Sequence, residues 1–416
     1  MLCAAHGESD SIPFLSSGSW VLLSLLPLPH PFLSPSIPII DKMADSKHSA
    51  RAIVTYEAKD GHANWKLEDI TISRDIKPDE VLVRMVATGI CHTDIVFSFM
   101  PVEAMGPYPK ILGHEGSGYA EAVGSEVTHV KTGDPVLLSF ASCSSCKDCK
   151  AGHPSYCQQF GPVNYGGEQK LFSEASGQFF GQSSFASLSI VNASSVVSVK
   201  GLVSDEELKM YSPMGCGFQT GVGTIDVLAE AKAEDTVVIL GLGGVGLSGV
   251  MAAKLNNCQN IIGVDRFDQR LELAKSLGAT HVINTSEKDF DLTKAIKDLT
   301  DGLGADIVMD TTGNMGLINS GMDFTANRGQ MIILGVPPAD GIVPVHLITF
   351  MQTGKRLRGS IEGDVTPSEY VPKMIKWQKE GKLPIEKLIK YYKVEDYEKA
   401  LADMHDGSTI KPVLIW

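Results

Sequence analysis

Thr236-Val237-Val238-Ile239-Leu240-Gly241-Leu242-Gly243-Gly244-Val245-Gly246 is the stretch whose reading decides the fold. Its first five residues are β-branched or apolar and read as a strand buried on both faces, while the glycines after them match G-x-G-x-x-G. Glycine loops are common, so the context carries the weight. A strand precedes the motif and helical text through Ala252, Ala253 and Leu255 follows it, which lets the turn bring its backbone close to a pyrophosphate at a helix N-terminus.

Downstream the alternation continues. Residues 260–264 read as a strand, and 270–277 as a helix with Leu271, Ala274 and Leu277 on one face and Gly278 as its stop. Residues 281–283, 306–309 and 331–334 supply further strands, predicting a doubly wound parallel sheet and an α/β chain. Asp265 falls nineteen residues beyond Gly246, where a carboxylate accepts hydrogen bonds from an adenosine ribose and repels a 2′-phosphate. NAD is therefore expected over NADP, with Arg266 the neighbour that argues the other way.

Upstream, 52–55, 81–86, 118–124 and 134–138 are short β-rich runs broken by Gly, Pro and Asp, so the region to about Pro213 leans to β. It contains Gly89-Ile90-Cys91-His92-Thr93-Asp94 and Gly113-His114-Glu115. A single Cys or His in apolar text is usually a packed core residue, but a thiolate and an imidazole together make a metal site with room for a substrate. The most specific local signal is Cys143, Cys146, Cys149 and Cys157, four thiols within fifteen residues, which allow a closed tetrahedral zinc site of structural type. Lys147 and Lys150 stand ready to moderate its negative charge. Cys216 lies among glycines further on, and helical text returns at 367–379 and 394–405 before a strand-like 412–415.

With these motifs in view, the chain from about Met43 to Trp416 resembles the zinc-dependent medium-chain alcohol dehydrogenases, most nearly their aryl- or benzyl-alcohol branch. The resemblance implies a β-rich GroES-like catalytic domain made of 44–217 and 361–416, holding the structural-zinc loop 143–157. It implies an NAD-binding Rossmann domain, 218–360, inserted between those two parts. The catalytic zinc ligands it implies are Cys91, His114 and Cys216, with a fourth position open. Asp94 would orient the ligand histidine, Glu115 would ligate transiently, and Thr93 would take the alcohol proton first. Thr220 and Val245 would pack around the nicotinamide, while Gly241, Gly243, Gly244, Gly246, Asp265 and Arg270 serve the rest of the cofactor. His92 and Lys411 occupy positions where relatives carry phosphate-binding arginines; a histidine does this well only when protonated, so NAD affinity is expected to weaken as pH rises through its range. Val96 stands where many relatives have a relay histidine, leaving the last proton step without its usual carrier. Phe97, Phe99, Ser139 and Phe140 are expected around an apolar aromatic pocket.

The 416 residues, 43% of them hydrophobic, are enough for two domains. A net charge of −13 argues against nucleic acid as partner and against a DNA-binding role for the cysteine loop. Eight cysteines, four of them at metal spacing, fit reduced thiols in a cytoplasmic enzyme better than a disulfide framework. Residues 20–26 are apolar but too short to span a bilayer, and Pro27, Pro29, Pro31, Pro35 and Pro38 follow. Glu8 and Asp10 with no Lys or Arg before them do not make a signal peptide, and the first arginine is Arg51. Residues 1–43, with Cys3, are expected to be a disordered extension or a misread start, Met43 being the natural beginning; Cys258 reads as an ordinary helix-end cysteine.

Three functions compete. The leading one is an NAD-dependent zinc oxidoreductase acting on a primary aryl or allylic alcohol, with two zincs per chain and, as in relatives, a homodimer or homotetramer. The second runs the same fold as a carbonyl reductase of a specialised-metabolite pathway. The third is a non-catalytic NAD-binding zinc protein, which has no chemical need for Cys91, His114 and Cys216 together.

Overall fold

The computed structural model describes residues 48–288 and 290–416; the expectations for 1–43, Cys3 and the start at Met43 lie outside them. Val237, Val238, Ile239 and Leu240 are fully buried, as a strand covered on both faces must be. They lie in a six-stranded sheet whose spatial order is His281–Asn284, Asn260–Asp265, Thr236–Leu240, Ala305–Asp310, Thr325–Ile333 and Arg356–Gly359. Every pairing in it is parallel. The order reverses between Thr236–Leu240 and Ala305–Asp310, which opens a crevice at their carboxyl ends where such sheets bind ligands. Gly241 turns there at φ +88°. Helix Gly244–Leu255 starts so close to that turn that a Cβ on Gly246 would overlap the Gly241 carbonyl. Helix Asp268–Leu277 buries Leu271, Ala274 and Leu277 and stops at Gly278, φ +129°.

The β-rich part has two layers. His48–Lys59, His62–Ile72, Glu168–Phe172, Ala175–Gly177 and Lys110–Ile111 close into a small barrel. Beside it, a seven-stranded sheet is centred on Glu80–Gly89. The C-terminal strand Lys411–Ile415 pairs antiparallel with Glu80–Gly89 and parallel with Ile389–Lys393. The end of the chain thus lies against the strand that delivers Cys91, which places Lys411 near the first metal motif. Helix Pro367–Lys379 matches its expected span, while 394–405 divides into a 3-10 turn, Val394–Asp396, and helix Tyr397–His405. Among the described residues no helix is long and apolar enough to cross a membrane.

Candidate functional site

Cys91 caps helix His92–Phe97, and Asp94 in its first turn organises everything nearby. The Asp94 carboxylate, fully buried, accepts the Cys91 N–H at 3.0 Å, the Gly113 N–H at 3.1 Å and His114 Nδ1 at 2.8 Å. A carboxylate acceptor at Nδ1 puts the proton there and leaves the Nε2 lone pair free. His114 Nε2 is indeed buried with no partner. Leaving such an atom unsatisfied costs about 1–3 kcal/mol, so its surroundings need explaining. Donor atoms of Cys91, His114, Glu115 and Cys216 all lie within 4.8 Å of one another. The orphaned nitrogen and two converging sulfurs fit a zinc ion with an exchangeable fourth position.

Cys216 arrives from the other side, between the 3-10 turn Ser212–Gly215 and helix Gly217–Gly223. Gly215 is pressed onto the Leu138 carbonyl with no room for a side chain, and Ser139 Oγ donates to Gly215 O at 2.6 Å. A hydrogen bond from Cys216 and the charges of His114 and Lys411 outweigh burial and hold the Cys91 thiol well below its ordinary range. Burial opposes charge on His114, yet the Asp94 and Cys91 anions raise it well above the usual histidine value. A divalent cation would take the place of the protons these groups otherwise share.

Glu115 and Lys411 form a buried pair: Lys411 Nζ donates to Oε1 and Oε2 at 2.9 and 3.0 Å and to Ile90 O at 3.3 Å. All three ammonium hydrogens are thereby used beside the metal motif. The lysine expected on a cofactor phosphate is thus engaged with Glu115, although its stem lies under the glycine turn, 3.3 Å from where a Gly244 Cβ would stand.

An aromatic wall faces the histidine. Phe180 stacks on His114 at 4.6 Å and Phe179 meets it edge-on at 5.7 Å; Phe97, Tyr165 and Phe160 continue the cluster. Burial, with the charges of Glu362 and Cys216, pushes the Tyr165 hydroxyl up to about 12. Of the expected pocket residues Phe97 belongs to this wall and Phe140 lies behind it on Phe160. Phe99 does not: it is 46% exposed, because the helix ends at Phe97 and the chain turns outward. Thr93 is half-buried and His92 exposed on the first turn of the same helix.

Sequence reasoning missed Phe160, Tyr165, Phe179 and Phe180, and it missed Glu362. The latter carboxyl is buried, accepts Gln219 Nε2 at 2.8 Å, lies 3.4 Å from Thr220 Oγ1, and is pushed up to about 7 by burial. The one sequence signal was an acid beside a glycine, which ordinarily reads as a solvated turn.

On the crevice side, Asp265 ends its strand and holds the glycine loop by accepting the Leu242 N–H at 2.7 Å; its other oxygen takes the Arg266 and Phe267 N–H groups. Arg270 lies 3.7 Å from Asp265 over the Phe267 ring, with its buried Nε unpartnered. A Cβ on Gly243 would meet nothing within 4 Å, so the space at the helix N-terminus is open and fits a dinucleotide pyrophosphate. Thr220 Oγ1 donates to the Cys216 carbonyl at 2.8 Å, and Val245 is half-buried.

The sulfurs of Cys143, Cys146, Cys149 and Cys157 lie within 4.8 Å of one another, with 3.5 Å between Cys146 and Cys149. None is disulfide-bonded. The N–H groups of Cys143, Cys146 and Gln159 point at sulfurs from 3.3 to 3.4 Å, as thiolates bound to a metal require. Cys258, well away from both clusters, is buried just past helix Gly244–Leu255.

Known proteins agree with this geometry. Residues 77–201 match the alcohol dehydrogenase GroES-like domain, and 244–380 match the zinc-binding dehydrogenase family. The chain is 37% identical over 360 residues to a geraniol dehydrogenase of Castellaniella defragrans, covering 84% of this chain and 94% of that protein. It is 32% identical to an alcohol dehydrogenase class-3 of Cereibacter sphaeroides, covering 82% and 93%. The crystal structure of benzyl alcohol dehydrogenase from Acinetobacter calcoaceticus superimposes with a TM-score of 0.82 at 35% identity, covering 88% of this chain and 99% of that one. With both domain families, the relatives and the metal-ready cluster in agreement, the chain belongs to the zinc-dependent medium-chain alcohol dehydrogenase family.

Proposed function

We propose that the chain transfers hydride between NAD and a primary alcohol of aryl or allylic type. The observation that carries this reading is the buried, unpartnered His114 Nε2 between two cysteine sulfurs, faced by an aromatic wall. When bound, zinc supplies Lewis-acid polarisation of the alcohol oxygen and NAD supplies the hydride acceptor. Cys91, His114 and Cys216 would hold the metal, with Glu115 the group that gives way to substrate. Asp94 keeps the His114 tautomer. Thr93 accepts the alcohol proton, and Val96 offers no onward carrier. Phe97, Phe179, Phe180 and Tyr165 exclude water and orient a flat or unsaturated substrate. The geraniol and benzyl alcohol dehydrogenases among its relatives support that substrate class.

For the cofactor, Asp265 would accept the adenosine ribose hydroxyls and disfavour a 2′-phosphate, Gly241 to Gly246 and Arg270 would take the pyrophosphate with His92, and Thr220 and Val245 would pack on the nicotinamide. Burial raises the Glu115 carboxyl above its ordinary range, and Lys411 contributes as the counter-charge that opposes that rise. A second zinc would sit in the four-cysteine loop. The catalytic domain would comprise 44–217 and 361–416, with 218–360 as the cofactor domain, in a cytoplasmic homo-oligomer.

The test is purified protein with NAD and a panel of alcohols, followed by absorbance of reduced nicotinamide, with Cys91→Ser as control and metal analysis alongside. Turnover of benzyl alcohol that the control abolishes, with two zincs per chain, is the expected result. A higher kcat/KM for ethanol than for benzyl alcohol sinks the substrate class; turnover that survives Cys91→Ser sinks the metal assignment.

A further inference from the structure

Glu362 has no part in the chemistry just described, yet it is buried within electrostatic reach of His114, Cys91 and Glu115. Its backbone is left-handed, φ +54°, and so are those of Gly363 at +75° and Asp364 at +56°. Two residues with side chains in this region persist only where the surroundings dictate it.

Two contacts do so. On one side the turn crosses helix Gly217–Gly223 glycine to glycine: a Cβ on Gly223 would stand 2.8 Å from Gly363 O, and one on Gly363 2.5 Å from Gln219 O. On the other side the four-cysteine loop grips it. His153 Nδ1 meets Asp364 Oδ1 at 2.8 Å, Tyr156 OH donates to Gly359 O at 3.0 Å and Thr366 Oγ1 to Gly152 O at 3.5 Å.

From this clamp Glu362 reaches inward. Its Oε2 accepts from Gln219 Nε2, which also donates to Ser139 Oγ at 2.9 Å, and Ser139 Oγ in turn donates to Gly215 O. Gln219 Oε1 has no partner, so Glu362 and Ser139 alone set that side chain. The same carboxylate oxygen faces Thr220 Oγ1, whose hydroxyl donates to Cys216 O. The Gly215 carbonyl is therefore linked to Glu362 through Ser139 and Gln219, and the Cys216 carbonyl through Thr220 alone.

We propose that Glu362 is a positioning residue for Cys216, and that through its turn the four-cysteine loop fixes the geometry of the catalytic cluster. The inference rests on the reading of Cys91, His114 and Cys216 as a metal site. Its role is hydrogen-bond acceptance, so an amide at the same place should serve and a methyl group should not.

The experiment loads the full chain with Co²⁺ and records its d–d and thiolate charge-transfer bands, with steady-state kinetics in parallel. Glu362→Ala is expected to shift the bands of the catalytic cobalt and lower kcat about 10-fold or more, the size of effect typical of groups that orient metal ligands. Glu362→Gln should restore both to near wild type. His153→Ala, at an exposed ring that does not threaten the fold, should shift the same bands in the same direction by a smaller amount. Wild-type bands and kcat in Glu362→Ala overturn the positioning role, and so does a Gln variant as impaired as the Ala variant. Should Glu362→Ala not fold, unchanged bands in His153→Ala overturn the link by themselves. Cobalt bands in wild type that Cys216→Ser leaves intact overturn the metal-site reading beneath it, a different failure from variants that match wild type.

Discussion

Asp94 does three jobs with two oxygens, and that economy makes it a sharp place to test the site. It fixes the Cys91 peptide, the Gly113 peptide and the His114 ring at once. Asp94→Asn keeps the size but can present only one acceptor atom, so either the Cys91 N–H loses its partner or the Gly113 N–H and the imidazole both do. We expect zinc affinity, read by competition with a chromophoric chelator, to fall roughly 10- to 100-fold, and an unchanged affinity would refute the orienting role. Gly246 makes a second residue-scale case, steric instead of electrostatic. Because a Cβ there overlaps Gly241 O, Gly246→Ala must lift the helix off the turn; a stability loss of about 1–3 kcal/mol in urea titration, with weaker NAD binding, is expected. These residues were legible in the sequence because a metal and a phosphate demand fixed atoms at fixed spacing. Glu362 was not, since nothing in Ile361-Glu362-Gly363-Asp364 says whether an acidic turn faces water or a metal centre. Only the glycine crossing and the grip of His153 turn it inward.

Among elements, the strand Glu80–Gly89 bears most of the site's positional load, being paired on one side with the C-terminal strand and leading directly to Cys91. A partly exposed charge network around the buried Glu80 ties its start to the barrel. Arg74 bridges Glu80 at 2.7 Å and Glu168 at 2.6 Å, and Lys77 also reaches Glu168 at 2.8 Å. The hydrogen bond from Arg74, helped by Lys77, lowers the Glu168 carboxyl from 4.5 to about 2. Because the folded value lies below the unfolded one, this stabilisation is complete above about 4.5 and is lost as pH falls through about 2. The gap in urea midpoint between wild type and Glu168→Gln should therefore be widest near neutrality and shrink on acidification; a gap independent of pH would assign the effect to packing. Elements with strong patterns, such as Thr236–Leu240 and Pro367–Lys379, could be read directly from the sequence. His62–Ile72 could not, since its few buried side chains, Trp65, Ile70 and Ile72, break strict alternation. Helix Met315–Phe324 buries only Ile318, Gly321 and Phe324, too little to mark a face in the text.

At the scale of the molecule, the edge of the six-stranded sheet remains unaccounted for by the folded chain alone. Among the described residues Arg356–Gly359 pairs with Thr325–Ile333 only, leaving one row of its peptide groups open. In the segment leading into it Ile342, Leu347 and Met351 are 77, 77 and 75% exposed, and Ile348 and Leu357 are exposed as well. We expect a second copy of the chain to cover this open edge and these exposed apolar side chains, by continuing the sheet and burying helix Leu347–Thr353. The same edge strand ends at Gly359, whose carbonyl is held by Tyr156 of the four-cysteine loop, three residues before Glu362. Association at the edge would thus steady a segment that leads into the active centre. We expect sedimentation velocity to show a dimer or a multiple of it, and Leu347→Glu combined with Met351→Glu to give a monomer with the metal content of wild type, because neither side chain belongs to a cysteine cluster. A double variant that sediments like wild type would rule this edge out as the interface and leave the exposed apolar cluster to be explained by a different partner.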